Sequence, residues 1–307
     1  MTILALDIGG TKVAAGLVDL TDPPRVQQRR SQPTRPERGG EQLLADLVQL
    51  AQEMIAAVPP GSVSAIGIGS AGVIDPETGC VTSATDLIPG WAGTPLGPTL
   101  AAATGLPVAV TGDVLAHALG EQVYGAGRTY PSALAAGIGT GVGGALVANG
   151  QVRHGEHGVA GHLGHVGHRL ARDLVCSCGR RGHMETIASG TGIADEYRRR
   201  TGRQLDGRAV DEAAEAGDEV ARAVVTDAGL ALGEVLAGLT NTWDPGVVII
   251  SGSVAKSGQT WWDAVRSGFA AQAMDPVAHT PLVPGQLGGD APLLGAAHFA
   301  QTKSEEN

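Results

Sequence analysis

The sequence predicts an α/β fold in two lobes, and three features predict it. A β-branched apolar run over residues 2–8 breaks at Gly9-Gly10-Thr11-Lys12 and resumes as an alternating strand over 13–19, the pattern of a hairpin around a glycine turn. The same unit returns at 133–148, where an apolar run to Ile138 meets Gly139-Thr140-Gly141-Val142-Gly143-Gly144 and then Ala145-Leu146-Val147. Between the strand-rich blocks, residues 41–58, 113–124, 218–240 and 261–273 place apolar side chains three and four apart, as amphipathic helices do.

A further apolar strand at 247–250 ends in Ser251-Gly252-Ser253, and Val108-Ala109-Val110 reads as another that runs into the helix at 113–124. A length of 307 residues is ample for two lobes. The expected division is an N-terminal lobe over 1–118, with a helix at 290–307 packing back on it, and a larger C-terminal lobe over 119–289 that carries a loop at 154–185.

Composition excludes several classes of protein. Hydrophobic residues at 43% and charged residues at 17% fit a globular chain rather than a disordered or fibrous one, and with few aromatics the core must be Val, Ile, Leu and Ala. The net charge of −10 argues against a nucleic-acid partner. The one basic cluster, Arg198-Arg199-Arg200 with Arg203, ends a helical stretch, where cations suit the helix dipole. The N-terminus has no basic n-region and meets Asp7 after a few apolar residues, which is not a signal peptide. No continuous apolar run reaches the ~18–20 residues of a membrane span, so a cytoplasmic protein with no membrane partner is expected.

Residues 150–185 show no period but hold six of the nine histidines and two of the three cysteines. So long a loop is usually functional or held by a metal. Three cysteines cannot all pair, and Cys176 and Cys178 are too close for an ordinary disulfide, so metal ligation is the better use for them.

Gly139-x-Gly141-x-x-Gly144 matches the dinucleotide fingerprint, but the residues after it read as a strand closing in a turn at Asn149-Gly150, not as the helix that a Rossmann unit requires. A glycine turn between two strands can still aim several backbone N–H groups at one anion, and two such turns could grip a polyphosphate from both sides. The alternative is that both are plain hairpins whose glycines supply φ > 0. Thr11 and Lys12 after the first turn, and Asp7 before it, add a hydroxyl, a cation and a carboxylate able to hold Mg²⁺.

Taken together, Asp7-Ile8-Gly9-Gly10-Thr11-Lys12, the 139–144 turn, Gly161-His162-Leu163-Gly164-His165 and Cys176-Ser177-Cys178-Gly179-Arg180-Arg181-Gly182-His183-Met184-Glu185 resemble the ROK family of repressors, open reading frames and kinases, chiefly bacterial sugar kinases. The resemblance implies a duplicated actin-like (RNase H-like) ATPase fold with ATP and Mg²⁺ in the cleft between the lobes, and a homodimer. It assigns the phosphates to Asp7, Gly9, Gly10, Thr11, Lys12, Gly139, Thr140, Gly141 and Gly143, the nucleoside to the neighbourhood of Gly252, and the catalytic base to Asp113. It assigns the sugar to Gly72, Asp86, Gly112, Asp113, His162, His165 and Glu185. Family repressors carry a helix-turn-helix ahead of the first phosphate motif, and a motif starting at Asp7 leaves no room for one.

Four positions depart from the common kinase pattern. Gly112 stands where Asn usually precedes the catalytic Asp, and Asp86 where an Asn is usual in the sugar loop. His162 replaces a Glu, an arrangement similar to that of bacterial N-acetylmannosamine kinases, and His183 replaces the third Cys. The implied metal set is therefore His165, Cys176, Cys178 and His183. Two thiolates and two imidazoles with no open position suit a structural Zn²⁺, whose task would be to pin His162 and Glu185.

Each role has a plainer competitor. Asp113 could be a helix N-cap, Glu185 a helix-start acid, Gly72 a turn glycine and His183 a surface residue. His117, His154, His157 and His168 are expected to be surface or satisfied residues, and Cys80 an inert thiol in a hairpin. The expected activity is ATP-dependent phosphorylation of the primary (6-) hydroxyl of a hexose or N-acylhexosamine, N-acetylmannosamine first. Glucose, a cyclitol or similar polyol, and a non-catalytic sugar sensor are the alternatives. Asp113 and both glycine turns favour the enzyme.

Overall fold

In a computed structural model describing residues 2–306, the chain carries two five-stranded sheets of one design. The first has the order β3-β2-β1-β4-β7, formed by β1 (Thr2–Ile8), β2 (Lys12–Asp19), β3 (Arg25–Pro33), β4 (Val63–Ser70) and β7 (Val108–Gly112). β5 (Val73–Ile74) and β6 (Val81–Ser83) form a separate small hairpin. The second sheet repeats the plan as β10-β9-β8-β11-β12, with β8 (Ser132–Ile138), β9 (Val142–Ala148), β10 (Gln151–Val152), β11 (Val247–Ser251) and β12 (Leu282–Pro284). In both, a hairpin strand is followed inward by parallel strands: β1 pairs with β4 and β4 with β7, while β8 pairs with β11 and β11 with β12. The duplication expected from the two glycine turns is present.

The chain forms two compact units, residues 2–129, 147–160 and 286–306 making one and 130–146 and 161–285 the other. In the first, side chains of β1 alternate between two cores. Leu4, Leu6 and Ile8 pack with Leu43 and Leu47 of α1 (Gly39–Ala56) and Leu96 and Leu100 of α2 (Leu96–Thr104). Ile3 and Ala5 face the other way, towards Ala116 of α3 (Asp113–Tyr124) and Leu293, Ala296 and Ala297 of α9 (Ala291–Glu306). Period-two alternation therefore puts Asp7, the next residue of that series, on the α3 and α9 face.

Those helices lie unusually close to the sheet and to each other because glycine makes room. A Cβ at Gly67 of β4 would strike the carbonyl of Ala296, one at Gly120 that of Ala291, and one at Gly295 that of Ala116. The second unit uses the same device where α7 (Glu219–Trp243) crosses α8 (Gln259–Gln272): Gly229 and Gly268 leave no space for a methyl group against the facing backbone. α7 starts where Asp218 accepts from the N–H groups of Val220 and Ala221, both at 3.0 Å. It is long and apolar enough, by length and composition alone, to cross a membrane, although Arg222, Asp227 and Glu234 interrupt its apolar run. Val224, Val225, Leu232 and Leu236 bury it in the core of its own unit.

α1, α3, α7 and α8 begin and end within three residues of the expected helices. The basic cluster closes α5 (Gly190–Thr201), where Arg199 and Arg200 pair with Glu196, and Arg200 also reaches Asp227 of α7. β3 was not foreseen. It is an edge strand of mostly exposed residues, with Gln28 at φ +46 and an irregular register against β2, so it shows no apolar alternation.

The packing at Gly295 yields a test with a decisive sign. Helix propensity alone would make Gly295→Ala stabilising by about 1 kcal/mol. Overpacking against Ala116 predicts instead a loss of about 1–3 kcal/mol, read as a lower urea midpoint. An unchanged or raised midpoint would show that α9 can retreat from α3.

Candidate functional site

In the first unit, strand register sets two carboxylates on one face. Asp7 pairs with Gly69 and Gly69 with Thr111 across β1, β4 and β7. β7 passes straight into α3, and a Cβ at Gly69 would lie 3.4 Å from the Cα of Asp113 and 2.9 Å from the Cβ of Ala116. The first turn of α3 thus sits on the side of the sheet that Asp7 faces. Burial, then the charge of Asp113, pushes the Asp7 carboxyl up to about 7, and Lys12 only partly offsets them.

Asp113 is not the N-cap of α3. Gly112 holds that place with extended backbone, and Asp113 is the first helical residue, its Oδ1 accepting from the N–H of Val114 at 2.8 Å. A Cβ at Gly112 would meet nothing closer than Leu115 at 3.5 Å, so neither its backbone nor its packing demands glycine.

The first glycine turn is closed by Gly9 N–H to Lys12 O at 3.0 Å and braced by Thr34, whose hydroxyl donates to Gly9 O at 2.7 Å. The second is held by Gly139 N–H to Gly141 O at 2.9 Å. The hairpin explanation from φ > 0 fails in both, since none of Gly9, Gly10, Gly139, Gly141, Gly143 or Gly144 has a left-handed φ. A Cβ at Gly10 or Gly139 would find no neighbour nearer than 4.0 Å or 3.9 Å, respectively, so local packing does not require glycine there either. Bare, half-buried backbone stands at both places, beside the exposed Thr11, Lys12 and Thr140.

Other expected residues have local explanations or lie near the turns. Gly72 has φ +99 and a Cβ there would come within 2.8 Å of Ser83 O, so the turn reading accounts for it. Gly252, at φ +98, abuts the backbone of Ile138. Asp86 is exposed, next to Leu87, the residue nearest Gly10.

In the second unit, residues 161–185 are tied by short backbone bridges, Gly167 with His183 and Val175 with Arg181. Cys176 N–H to Arg180 O at 2.7 Å and Gly179 N–H to Cys176 O at 2.8 Å tighten the turn between the cysteines and His183, with Gly179 and Gly182 in left-handed conformations. The result gathers His165, Cys176, Cys178 and His183 so that their donor atoms lie within 4.8 Å of one another. Cys176 Sγ is 3.6 Å from His165 Nδ1, and Cys178 Sγ 3.3 Å from His183 Nδ1. Burial pushes the Cys176 thiol up and the His165 imidazole down. A soft divalent cation fits this donor set, and its charge would take the proton from the thiol.

His162 stacks beside His165 with ring centroids 6.1 Å apart. Glu185 opens the short helix α4 (Glu185–Ala188), as a helix-start acid would, but its carboxylate is engaged elsewhere: Oε2 accepts from Val142 N–H at 2.8 Å and Oε1 from the Ser177 hydroxyl at 3.0 Å. Neither partner was singled out in the sequence. Ser177 carried no signal beyond lying between the two cysteines.

His154 pairs with Thr111 at 3.1 Å and His168 with Glu234 at 3.0 Å, as satisfied residues do. His117 departs from that expectation, because its Nε2 is buried without a partner among the described residues and burial lowers its pKa. Cys80 stands just before β6 of the small hairpin.

Residues 3–303 match the ROK family model. The chain is 32% identical to a glucokinase of Halalkalibacterium halodurans, over 99% of this chain and 96% of that one. It is 34% identical to an N-acetylmannosamine kinase of Citrobacter koseri, over 98% and 99% of the two chains. A ROK family glucokinase of Streptomyces griseus, solved with glucose and AMPPNP, superposes with a TM-score of 0.80 at 30% identity, over 98% of this chain and 100% of that one. The duplicated actin-like fold is common to them. With a family match from near the first residue to near the last, the chain belongs to the ROK family.

Proposed function

We propose that this chain is a sugar kinase that moves the γ-phosphoryl group of ATP to the primary 6-hydroxyl of a hexose or N-acylhexosamine, with N-acetylmannosamine the first acceptor. The observation that carries the reading is the placing of Asp7 and Asp113 on one face at the carboxyl end of the first sheet, beside a turn of bare backbone and Lys12.

Phosphoryl transfer needs an aligned hydroxyl, a base for its proton and positive groups around the phosphates. Asp113 takes the proton of the acceptor hydroxyl as its oxygen attacks the γ-phosphorus, and ADP leaves. The turn of Gly9, Gly10, Thr11 and Lys12 holds phosphate oxygens through N–H groups, a hydroxyl and an ammonium, and that of Gly139, Thr140, Gly141 and Gly143 does so likewise, the N–H groups of Gly9 and Gly139 themselves closing the turns. Gly252 lies by the nucleoside. Mg²⁺, when bound, supplies charge neutralisation on the phosphates, and Asp7 is the carboxylate suited to hold it, directly or through water. A carboxyl raised to about 7 is a poor resident anion without such a cation.

The sugar is read by His162, His165 and Glu185 with Asp86, Gly72 and the open position at Gly112. Zn²⁺ on His165, Cys176, Cys178 and His183 would fix the loop carrying three of these. His162 favours N-acetylmannosamine, because an imidazole offers a donor and an acceptor where Glu offers a fixed negative charge. Glucose is the second acceptor, supported by relatives of similar identity. A homodimer belongs to the same proposal.

Asp113→Asn keeps the shape of the side chain but cannot take the proton. Its kcat should fall by about 10²–10⁴-fold while sugar affinity stays near the parent value, measured by coupled assay and calorimetry. Near-normal kcat would leave Asp113 a structural residue of α3.

The metal site makes its own demand. Purified protein should carry about one Zn²⁺ per chain by elemental analysis, and Cys178→Ser should lose metal, thermal stability and sugar affinity together. A metal-free preparation with full activity would remove Zn²⁺ from the proposal.

A further inference from the structure

The carboxylate of Glu185 joins two parts of the second unit that otherwise have separate tasks. Oε2 sits on the N–H of Val142, in the turn assigned above to phosphates, and Oε1 sits on the hydroxyl of Ser177, between the two cysteines of the metal loop. Cys176 Sγ adds a third contact at 3.6 Å from Oε1. Gly141 is shaped around this bridge: its φ is not left-handed, yet a Cβ there would lie 2.7 Å from Glu185 Oε2. Glycine at 141 is thus explained by the carboxylate and not by the backbone.

An anion already occupies the N–H of Val142, which lies between Gly141 and Gly143, two of the residues the proposed function gives to phosphate. A phosphate oxygen approaching the N–H of Val142 meets the negative charge of Glu185 and must displace it. If the same carboxylate also binds a sugar hydroxyl, as the proposed function has it, the sugar and the turn compete for Glu185.

We infer that Glu185 is a latch coupling acceptor binding to nucleotide binding, with Ser177 as its positioning residue. Without sugar, Ser177 steadies the carboxylate on Val142 and the phosphate turn is blocked. A sugar hydroxyl draws the carboxylate away, freeing the N–H for phosphate. Each ligand then raises the affinity of the other by the same factor, because coupling free energy is reciprocal. The inference rests on the sugar-binding role of Glu185.

The test measures AMPPNP affinity by calorimetry in the full chain with Mg²⁺, without sugar, with N-acetylmannosamine and with glucose. In the parent, whichever sugar is the acceptor should tighten AMPPNP about fivefold or more, within the range usual for coupled sites. Ser177→Ala and Gly141→Ala should raise sugar-free affinity and bring the coupling factor towards one, whereas Ser177→Thr, which keeps the hydroxyl, should retain it. The glycine variant displaces only the end of a flexible side chain, and the exposed Ser177 is independent of any effect of its methyl group on phosphate. Parent protein that binds both ligands with a coupling factor of one would overturn the latch and leave the kinase reading standing, as would undiminished coupling in both alanine variants. Parent protein that binds neither AMPPNP nor either sugar would overturn both.

Discussion

Two carboxylates held on one face of a sheet repel each other, and much of the first unit is the structure that keeps them there. Asp7 cannot turn away, because strand alternation fixes its face and Ile3 and Ala5 of the same series are buried beneath α3 and α9. Asp113 cannot retreat, because β7 runs into α3 without a loop and Gly69 lets the first turn of the helix settle on the sheet. The burial, and then the repulsion, push the Asp7 carboxyl up to about 7. Such a site is stable when a cation or a proton shares it, which is the condition the proposed phosphoryl transfer from a Mg²⁺-bound nucleotide would meet.

The second unit repeats the sheet and the glycine turn but not the acid. At the position equivalent to Asp7, before Ile138, stands Gly137, paired with Ser251 of β11 as Asp7 pairs with Gly69. Duplication has produced two glycine turns and one acid at the strand end. What the second unit adds is the His/Cys loop, whose four clustered donors, bridged backbone and Glu185 contact tie it to the second turn.

The fold was legible wherever burial writes a period into the chain. α3, α7 and the strands flanking both turns were foreseen from apolar spacing, and β3 was not, because an edge strand exposed to water has no apolar face to betray it. Of the four candidate metal ligands, the two thiols were legible because they are too close to pair, and His165 and His183 were named only through the family resemblance. Three features needed coordinates. The turn glycines had a backbone explanation open beside the phosphate one, and only φ and the empty space around Gly10 and Gly139 remove it. Asp113 looked like a cap, one residue from the true one. The bridge from Ser177 through Glu185 to Val142 joins positions that no local pattern relates.

The central claim is transfer to a primary sugar hydroxyl with a stated preference, and product analysis under competition addresses it most directly. Purified protein would be given ATP, Mg²⁺ and equal concentrations of glucose and N-acetylmannosamine below saturation, and the phosphorylated products identified by NMR. The account predicts 6-phosphates alone, with N-acetylmannosamine 6-phosphate in excess. No sugar phosphate, or phosphate on a secondary hydroxyl, would contradict the mechanism, and an excess of glucose 6-phosphate would contradict the reading of His162.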